Sequence, residues 1–404
     1  MQDRVLKRCF FGSLARVLCK LLPVRRRLWI FGADYGNMYR EGSKYLLEYM
    51  INHHAEYRCL FVTRTKSVLH ELKSKHIPCV HNYSFKGIWL IAQAECVFTT
   101  QVASDILFAF KRKGRRYFYL MHGMPMKVAL SMLNKKNEEH CKSRMRLWER
   151  VKCYLSRMLI CDYSILDSEF VSATSDFFKY WMELEFDHKT PVKVLGMPRN
   201  DALFQSWRMN SEKWVENIEG KFVITYMPTH RKYGLGTLSP TPFENNREAQ
   251  KWLEDNNAVL IVKNHPNMLR LFTKGYRPYE SSVIRDITAK GIDPMTALYK
   301  SDVIISDYSS VWMDFLLLRR PMVFYIYDNF TTDDVGVYYD IKTENIGHFC
   351  YSEGGLFELI KRIKSNYDEM RPAKSVVKKF HKYIDGCSCE RYFFAVSKEV
   401  VGND

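Results

Sequence analysis

The feature that most constrains the fold is a repeated alternation of short apolar runs with longer stretches of helical pattern. Each run is rich in β-branched or aromatic side chains and ends in a loop. A first series lies at residues 28–32, 59–63, 77–80, 96–100 and 117–121, and a second at 222–228, 258–264, 282–286, 302–307 and 321–326. Buried runs of this length separated by helices predict parallel β-sheets in α/β layers.

The two series predict two similar α/β domains. Between them lies the segment 196–210, where Gly196 and Pro198 interrupt regular structure. We therefore predict an N-terminal domain over residues 28–205 and a C-terminal domain over residues 206–404, facing each other across a central cleft. In open parallel sheets, ligands bind at the carboxyl ends of the strands, so we expect the functional side chains in the loops that follow the strands.

Positive charge is concentrated in three segments. The chain has 404 residues, with 61 Lys and Arg against 45 Asp and Glu, and a formal net charge of +16. Residues 1–27, 111–116 and 127–157 carry +7, +5 and +6, so the remainder is nearly neutral. This excess indicates an anionic partner such as a membrane surface, a nucleic acid or a phosphorylated substrate. The basic segments lack the interleaved aromatic side chains of single-strand binders, which argues against nucleic acid.

Residues 1–27 predict an amphipathic, membrane-associating segment. Apolar residues recur there at steps of three and four, with basic residues mostly on the other side. The apolar positions are Leu6, Phe10, Leu14, Val17, Leu18 and Leu21. Such a helix can lie in the interface of an anionic membrane, or it can pack on its own domain. No stretch approaches the roughly 20 apolar residues that span a bilayer, and Arg16 and Lys20 interrupt any signal-peptide pattern.

The 11 cysteines include no Cys-x-x-Cys pair, which is typical of a reduced, cytoplasmic protein. Cys387 and Cys389 lack the partners that a zinc site needs. The sequence also lacks the Walker A, Gly-x-Gly-x-x-Gly and His-Glu-x-x-His patterns, and Asp333-Asp334 is an isolated acidic pair. We therefore expect neither a metal site nor a bound cofactor.

A His-Gly pair follows the last strand of the first series. His122 and Gly123 enter a loop that continues to Lys127. Because the pKa of histidine lies near neutrality, His122 at a strand end is suited to take a proton from a hydroxyl nucleophile. The structural alternative is a loop histidine that is hydrogen bonded to the backbone.

Three further motifs follow strands of the second series. Their candidate residues are Thr229 and Arg231, then His265, and then Asp307, Ser309 and Ser310. An arginine can contact a phosphate with two N–H groups, and a helix start that carries serines offers amides and hydroxyls to the same ligand. Each motif alone could also be an ordinary loop or a helix cap. Together with His122 they favour transfer of a phosphorus-containing group without a metal.

Five segments of the chain, in this order, resemble motifs of the CDP-glycerol glycerophosphotransferase family of wall teichoic acid and capsule synthesis. They are HGMPMK, GMPRND, YMPTHR, NHP and SDYSSVWMDFLLLRRPMVFY, and the resemblance covers residues 28–395. It implies a GT-B fold with two Rossmann-like domains. It also implies peripheral binding to the cytoplasmic face of the bacterial cell membrane, and transfer of glycerol phosphate from CDP-glycerol to a lipid-linked acceptor with release of CMP.

The resemblance also implies a role for each candidate residue. His122 would be the base that deprotonates the acceptor hydroxyl, within a loop that includes Gly123 and Lys127. His265 and Arg231 would contact the donor pyrophosphate, Ser309 and Ser310 would bind phosphate, and Asp307 would position its loop. Arg199 and Asp201 would lie at the domain junction. With these, the predicted substrate-binding residues include Gly123, Lys127, Thr229, Arg199 and Asp201.

The sequence departs from the family pattern at Met124, at Pro125-Met126 and at His230. These departures leave the alditol and the acceptor open, so CDP-ribitol is an alternative donor. A second alternative is a GT-B glycosyltransferase that uses a sugar nucleotide. The alternative without catalysis is a basic membrane-binding protein.

Overall fold

Parallel strands alternate with helices in both halves of the chain, as predicted. The structure is a computed structural model that describes residues 2–126, 161–206, 218–229, 240–265, 277–328 and 337–401, with side chains of the first helix from Cys9 onward. The described residues belong to two compact units. The first unit draws on Met1–Met124, Val128–Asp201 and Cys387–Asp404, and the second on Pro125–Lys127 and Ala202–Gly386.

The first unit contains a sheet of five parallel strands. The strands are β1 (Arg25–Phe31), β2 (Arg58–Thr63), β3 (Cys79–His81), β4 (Ala94–Thr99) and β5 (Arg116–Tyr119). Their order in the sheet is β3-β2-β1-β4-β5, so the order reverses between β1 and β4. All six residues of β4 are buried, as expected for an inner strand of a parallel sheet. A separate parallel pair, β6 (Val171–Ala173) and β7 (Val192–Val194), belongs to the same unit.

The second unit contains a sheet of six parallel strands. They are β8 (Phe222–Tyr226), β9 (Ala258–Val262), β10 (Ile284–Asp286), β11 (Val303–Ser306), β12 (Met322–Tyr325) and β13 (His348–Cys350). The order β10-β9-β8-β11-β12-β13 is that of a Rossmann fold, and it reverses between β8 and β11. Loops that follow strands on either side of such a reversal are the usual place for a ligand.

Helices follow most of the strands, and short polar side chains begin several of them. The helices are α1 (Gln2–Leu21), α2 (Glu41–His53), α3 (Lys66–Ser74), α4 (Phe85–Gln93), α5 (Asp176–Glu185), α6 (Arg247–Asp255), α7 (Pro294–Lys300), α8 (Val311–Leu316), α9 (Glu353–Ser365), α10 (Lys374–Phe380) and α11 (Ser388–Val401). Ser84, Ser175, Asn246, Asp293 and Ser352 each accept a hydrogen bond from a backbone N–H of the following first turn. Such a cap stabilises a helix by about 1 kcal/mol.

The prediction of two parallel sheets is confirmed, and a strand is present in every apolar run of the two series. The sequence pattern missed β6, β7 and β13, which have three residues each. A strand of three residues is too short for a periodic or continuous apolar pattern to stand out from its surroundings.

The prediction that residues 206–404 form one domain needs a correction, because the chain returns to the first unit at Cys387. Helix α11 buries Tyr392 and Val396 completely. Tyr392 lies 5.6 Å from Phe170 between ring centroids, and the ring of Phe393 stacks on His54 at 3.6 Å. The apolar face of α11 therefore packs against the first unit. Local sequence patterns do not reveal such contacts between distant segments.

Helix α1 is packed along one side and exposes several apolar side chains elsewhere. One side packs on its own unit, where Ala15 and Cys19 are buried against Ile88 and Ala92 of α4 and against Phe108. Leu14 and Leu18 of the predicted apolar face join this packing. The side chains of Phe10, Val17 and Leu21 from the same face are exposed. Within the described part of the chain, no helix combines the length and the apolar character needed to cross a bilayer.

Part of the basic segment 111–116 is buried rather than displayed. Arg115 is 5% exposed, and its guanidinium donates hydrogen bonds to backbone carbonyls of Phe110, Ile91, Ala92 and Ala94. Since five N–H donors in a planar fork can satisfy several carbonyls at once, this arginine ties a loop to the end of α4. From the sequence alone Arg115 was part of a basic segment expected to meet an anionic partner, whereas in the structure its guanidinium is buried and hydrogen bonded to the backbone. Residues 127–157, the third basic segment, lie outside the described residues.

Candidate active site

His122 lies just beyond the carboxyl end of β5, at one edge of the first sheet. Met121, the preceding residue, has a φ of 59°, a left-handed conformation that is strained for a side chain of this size. The His122 side chain is exposed, and its ring is hydrogen bonded to the backbone of Thr100, which follows β4. This bond between neighbouring strand ends orients the ring.

The surroundings of His122 lower the pKa of its imidazole below the ordinary value. Burial by protein packed around the ring has the largest effect because it disfavours the charged form, although the outer surface of the side chain still meets solvent. The carboxylate of Glu41 acts in the opposite direction, and the guanidinium of Arg199 lowers the pKa further. The neutral imidazole is therefore favoured near pH 7, and this is the form that a general base needs.

A buried carboxylate, Asp105, joins the two loops at the reversal point of the first sheet. It accepts hydrogen bonds from the backbone N–H groups of Tyr35, Thr100 and Gln101 at 2.8, 2.9 and 3.0 Å. Burial raises its pKa, while these donors oppose the shift. Gly32, which follows β1, lies close to the same residue, since a Cβ atom there would approach the backbone carbon and oxygen of Asp105 to 3.0 and 3.1 Å. Sequence reasoning missed Asp105, since no recognisable motif surrounds it.

Arg199 and Asp201 have partners within the first unit. Asp201 caps the start of α11, where its two carboxylate oxygens accept hydrogen bonds from the backbone N–H groups of Ser388 and Cys389 at 2.8 and 2.7 Å. Arg199 donates from Nη1 to Oε2 of Glu41 at 2.6 Å and to the backbone carbonyl of His122. Both residues therefore support the first unit through these contacts, and their role in substrate binding stays a prediction. Asp201 is also the last residue before the chain enters the second unit.

In the second unit, Asp307 and Thr229 link the loops on either side of the strand-order reversal. Asp307 directly follows β11 and is 1% exposed. Its Oδ1 atom accepts hydrogen bonds from the backbone N–H of Thr229 at 2.8 Å and from the Thr229 hydroxyl at 2.6 Å. Because β8 and β11 are neighbours, this contact holds the chain together just beyond the ends of the two strands. Residues 230–239, including His230 and Arg231, lie outside the described residues.

Ser309 and Ser310 lie at the start of α8, as predicted. The Ser309 hydroxyl accepts from the backbone N–H of Val311 over a long distance of 3.5 Å. Ser310 occupies the cap position in a helical conformation, and its side chain forms no capping hydrogen bond. The hydroxyl of Ser310 is therefore not used to begin the helix.

His265 lies in the loop after β9, where its side chain is exposed. Lys263, two residues earlier, is buried and donates from Nζ to the backbone carbonyl of Ile292 at 2.8 Å, so it ties the end of β9 to the segment before α7. Lys127 lies outside the described residues, and Gly123 is buried in the loop of His122. Among the residues that the structure describes, no group of three or more His, Cys, Asp or Glu side chains is arranged to hold a metal ion.

Two units built on parallel sheets, with polar side chains at the carboxyl ends of their strands, define a protein of the GT-B class. The chain belongs to the family described as CDP-Glycerol:Poly(glycerophosphate) glycerophosphotransferase, whose family model matches residues 14–398. The family predicted from the five motifs is thereby confirmed.

Individual relatives agree with this membership. The chain is 26% identical over 362 residues to the teichoic acid poly(glycerol phosphate) polymerase of Bacillus subtilis, a match that covers 86% of this chain and 45% of the polymerase. It is 25% identical over 398 residues to the teichoic acid glycerol-phosphate transferase of Staphylococcus aureus, with 93% of each covered. A solved structure of the wall teichoic acid polymerase TagF has a TM-score of 0.74 at 19% identity and covers 99% of this chain and 95% of that one. The chain thus spans less than half of the first relative and nearly all of the second.

Proposed function

We propose that the protein transfers glycerol phosphate from CDP-glycerol to a hydroxyl of a membrane-linked acceptor in teichoic acid or capsule polymer synthesis, with release of CMP. Family membership supports the donor and the reaction, and solved structures of TagF variants with CDPG belong to proteins of the same fold. The observation that carries the proposal is His122, an accessible imidazole whose pKa is lowered, held at a strand end in the manner of a general base.

In the proposed reaction, the neutral ring of His122 takes the proton of the acceptor hydroxyl. The acceptor oxygen then attacks the phosphorus that carries glycerol, and a new P–O bond forms. The P–O bond to the CMP phosphate breaks, and CMP leaves with the electron pair. Stabilisation of that leaving charge is the proposed task of His265, Arg231, Ser309 and Ser310. The contact between Thr229 and Asp307 holds the ends of the strands that precede Arg231 and the two serines.

A donor panel tests the reaction. Purified protein is incubated with a synthetic lipid acceptor and, separately, with CDP-glycerol, CDP-ribitol, UDP-sugars and CMP-sugars, and the released nucleotide is identified by chromatography. We expect CMP from CDP-glycerol together with an acceptor product that has gained one or more glycerol phosphate units. CMP release from CDP-ribitol alone would show that the transferred alditol is ribitol. This outcome is included because the chain is similar to ribitol-phosphate polymerases of Staphylococcus aureus. Turnover of a sugar nucleotide alone would establish a glycosyltransferase instead.

The proposed membrane partner rests on an apolar surface formed by two helices. We call it the α1–α4 patch, and it consists of Phe10, Val17 and Leu21 of α1 with Phe85 and Trp89 of α4. Phe85 is 70% exposed and Trp89 is 47% exposed. The ring of Phe11 lies 5.3 Å from that of Phe10 and 6.2 Å from that of Phe85, so aromatic packing links the two helices. Lys20 and Lys86 are exposed on the same helices, and basic side chains beside exposed aromatic rings are typical of binding to anionic membrane interfaces.

Vesicle binding tests the α1–α4 patch. The double variant Phe85→Ser/Trp89→Ser is expected to bind vesicles that contain phosphatidylglycerol roughly 30-fold more weakly than the unchanged protein, because two large apolar side chains no longer enter the interface. Sedimentation with vesicles at several lipid concentrations measures this change. Tyr180→Ser, which removes another exposed aromatic ring of the first unit, is the matched control. Equal binding by the double variant and the control would remove the patch from the proposal.

Deletion of residues 1–27 is a poor test of the same idea. It would remove Arg25, Arg26 and Arg27 from β1. It would also expose the side chains of α4 that pack against Ala15 and Cys19. Loss of vesicle binding could then reflect damage to the first unit rather than loss of a membrane contact.

A further inference from the structure

The guanidinium of Arg199 connects helix α2 to the loop that carries His122. Arg199 is 6% exposed and lies in the short 3₁₀ segment Pro198–Phe204. Its Nη1 atom donates to Oε2 of Glu41 at 2.6 Å and to the backbone carbonyl oxygen of His122. One nitrogen of Arg199 therefore binds both the carboxylate of Glu41 and the main chain of His122, the proposed base.

The backbone is strained on both sides of this connection. Glu41 begins α2 with a φ of 61°, and Met121, directly before His122, has a φ of 59°. Residues with side chains adopt this conformation at a cost of about 1–3 kcal/mol, and they keep it only where the surroundings impose it. The start of α2 lies against the same loop, since a Cβ atom at Gly42 would approach Cβ of Leu120 to 3.2 Å. Two strained residues on adjacent segments are thus held in place beside His122.

The charged groups that face the ring of His122 come from two elements. Glu41 and Arg40 belong to the start of α2, and Arg199 belongs to the segment after β7. Arg40 is itself paired with Asp34, at 2.9 Å between Nη2 and Oδ1. Apart from burial, the carboxylate of Glu41 favours the protonated ring, whereas the guanidinium of Arg199 disfavours it. Glu41 and Arg199 therefore act on the ring in opposite directions while they bind each other.

We propose that Glu41 and Arg199 are positioning residues, which together fix the main chain at His122, aim its imidazole and balance the charge beside it. This inference rests on the proposed role of His122 as the base, and it adds Glu41, which no sequence motif contained. The arrangement favours this supporting role for Arg199, because its Nη1 atom is engaged by Glu41 and by the His122 carbonyl.

The test is the pH dependence of CMP release by Glu41→Gln and Arg199→Gln. A base must be neutral to act, so activity falls as the pH drops through the pKa of His122. Removal of the negative charge of Glu41 should lower this pKa and move the acid limb to lower pH by roughly half a unit, and removal of the positive charge of Arg199 should move it to higher pH by a similar amount. In the double variant, the acid limb of the pH profile should lie close to that of the unchanged protein.

A second measurement needs no turnover. Diethyl pyrocarbonate modifies neutral imidazole, so its rate of reaction with His122, followed by mass spectrometry of the peptide at several pH values, reports the protonation of this ring directly. We expect the same opposite shifts in the two variants. Shifts in one direction, or the absence of any shift in correctly folded variants, would overturn the positioning role.

The two proposals fail in distinguishable ways. If His122→Ala keeps full turnover, then His122 is not the base and the proposed reaction loses its central group. If His122→Ala is inactive while the Glu41 and Arg199 variants leave the pH profile and the modification rate unchanged, then only the positioning role is wrong. Arg199→Lys is a further check, since a lysine keeps the charge on a side chain that is one bond shorter and cannot place its nitrogen where Nη1 meets both acceptors. It should keep the original acid limb and lower the rate.

Discussion

Replacement of His122 with alanine is expected to reduce CMP release from CDP-glycerol by about a thousandfold, in line with the usual contribution of a general base. The ring is held at a strand end by the backbone of Thr100, and its pKa is lowered mainly by burial, so the unchanged protein presents a neutral acceptor for the proton near pH 7. Alanine offers no nitrogen for that proton. A coupled assay for CMP measures the loss in rate.

The control for this prediction is His70→Ala. His70 is an exposed histidine of α3 in the same unit, so its removal should leave the rate unchanged. Affinity for CDP-glycerol, measured by calorimetry, should stay within about twofold in both variants, because we assign donor contacts to the second unit. A His122→Ala protein that folds normally and keeps more than a tenth of the original rate would contradict the assignment of this residue as the base.

Replacement of Asp307 with alanine is expected to weaken CDP-glycerol binding and turnover by about 100-fold. The substitution leaves two donors of Thr229, the backbone N–H and the hydroxyl, without the acceptor that they share. Thr229 is half-buried, and a donor left unpaired there costs up to about 1–3 kcal/mol, so Thr229 should lose its fixed position and the second unit should unfold at a lower temperature. Calorimetric titration with CDP-glycerol and thermal unfolding measure the two effects.

Two milder variants separate the parts of this contact. Asp307→Asn keeps an acceptor oxygen and removes only the charge, so it should lose less affinity than alanine. Thr229→Val removes the hydroxyl donor and keeps the backbone N–H, so its effect should be intermediate. If Asp307→Ala binds CDP-glycerol as tightly as the unchanged protein, then donor binding does not depend on this carboxylate.

The sequence predicted the parallel sheets well because their strands are buried on both faces. Leu28 to Phe31 of β1, for example, form a continuous buried run, and such a run is visible without knowledge of the partner strands. The order of the strands was not visible, because the pairing of β1 with both β2 and β4 depends on how the intervening helices cross the sheet.

The candidate site was predicted in part. Asp307 directly follows a strand, and His122 and Ser310 lie a few residues beyond strand ends, where the topology of an open parallel sheet places functional residues. Glu41 and Asp105 were missed because their importance lies in partners that are distant in the sequence. Glu41 pairs with Arg199, and Asp105 reaches back to Tyr35.

The sequence alone determined the fold class, the family and the positions at which chemistry is expected, since these depend on local runs of residues and on short motifs. Only the tertiary structure decided what individual polar side chains do. Arg115, Arg199 and Asp201 look like surface charges or substrate ligands in the sequence, yet burial brings each against backbone groups or an opposite charge within its own unit. The physical reason is that a buried charge must find partners, and those partners are fixed by packing between distant segments.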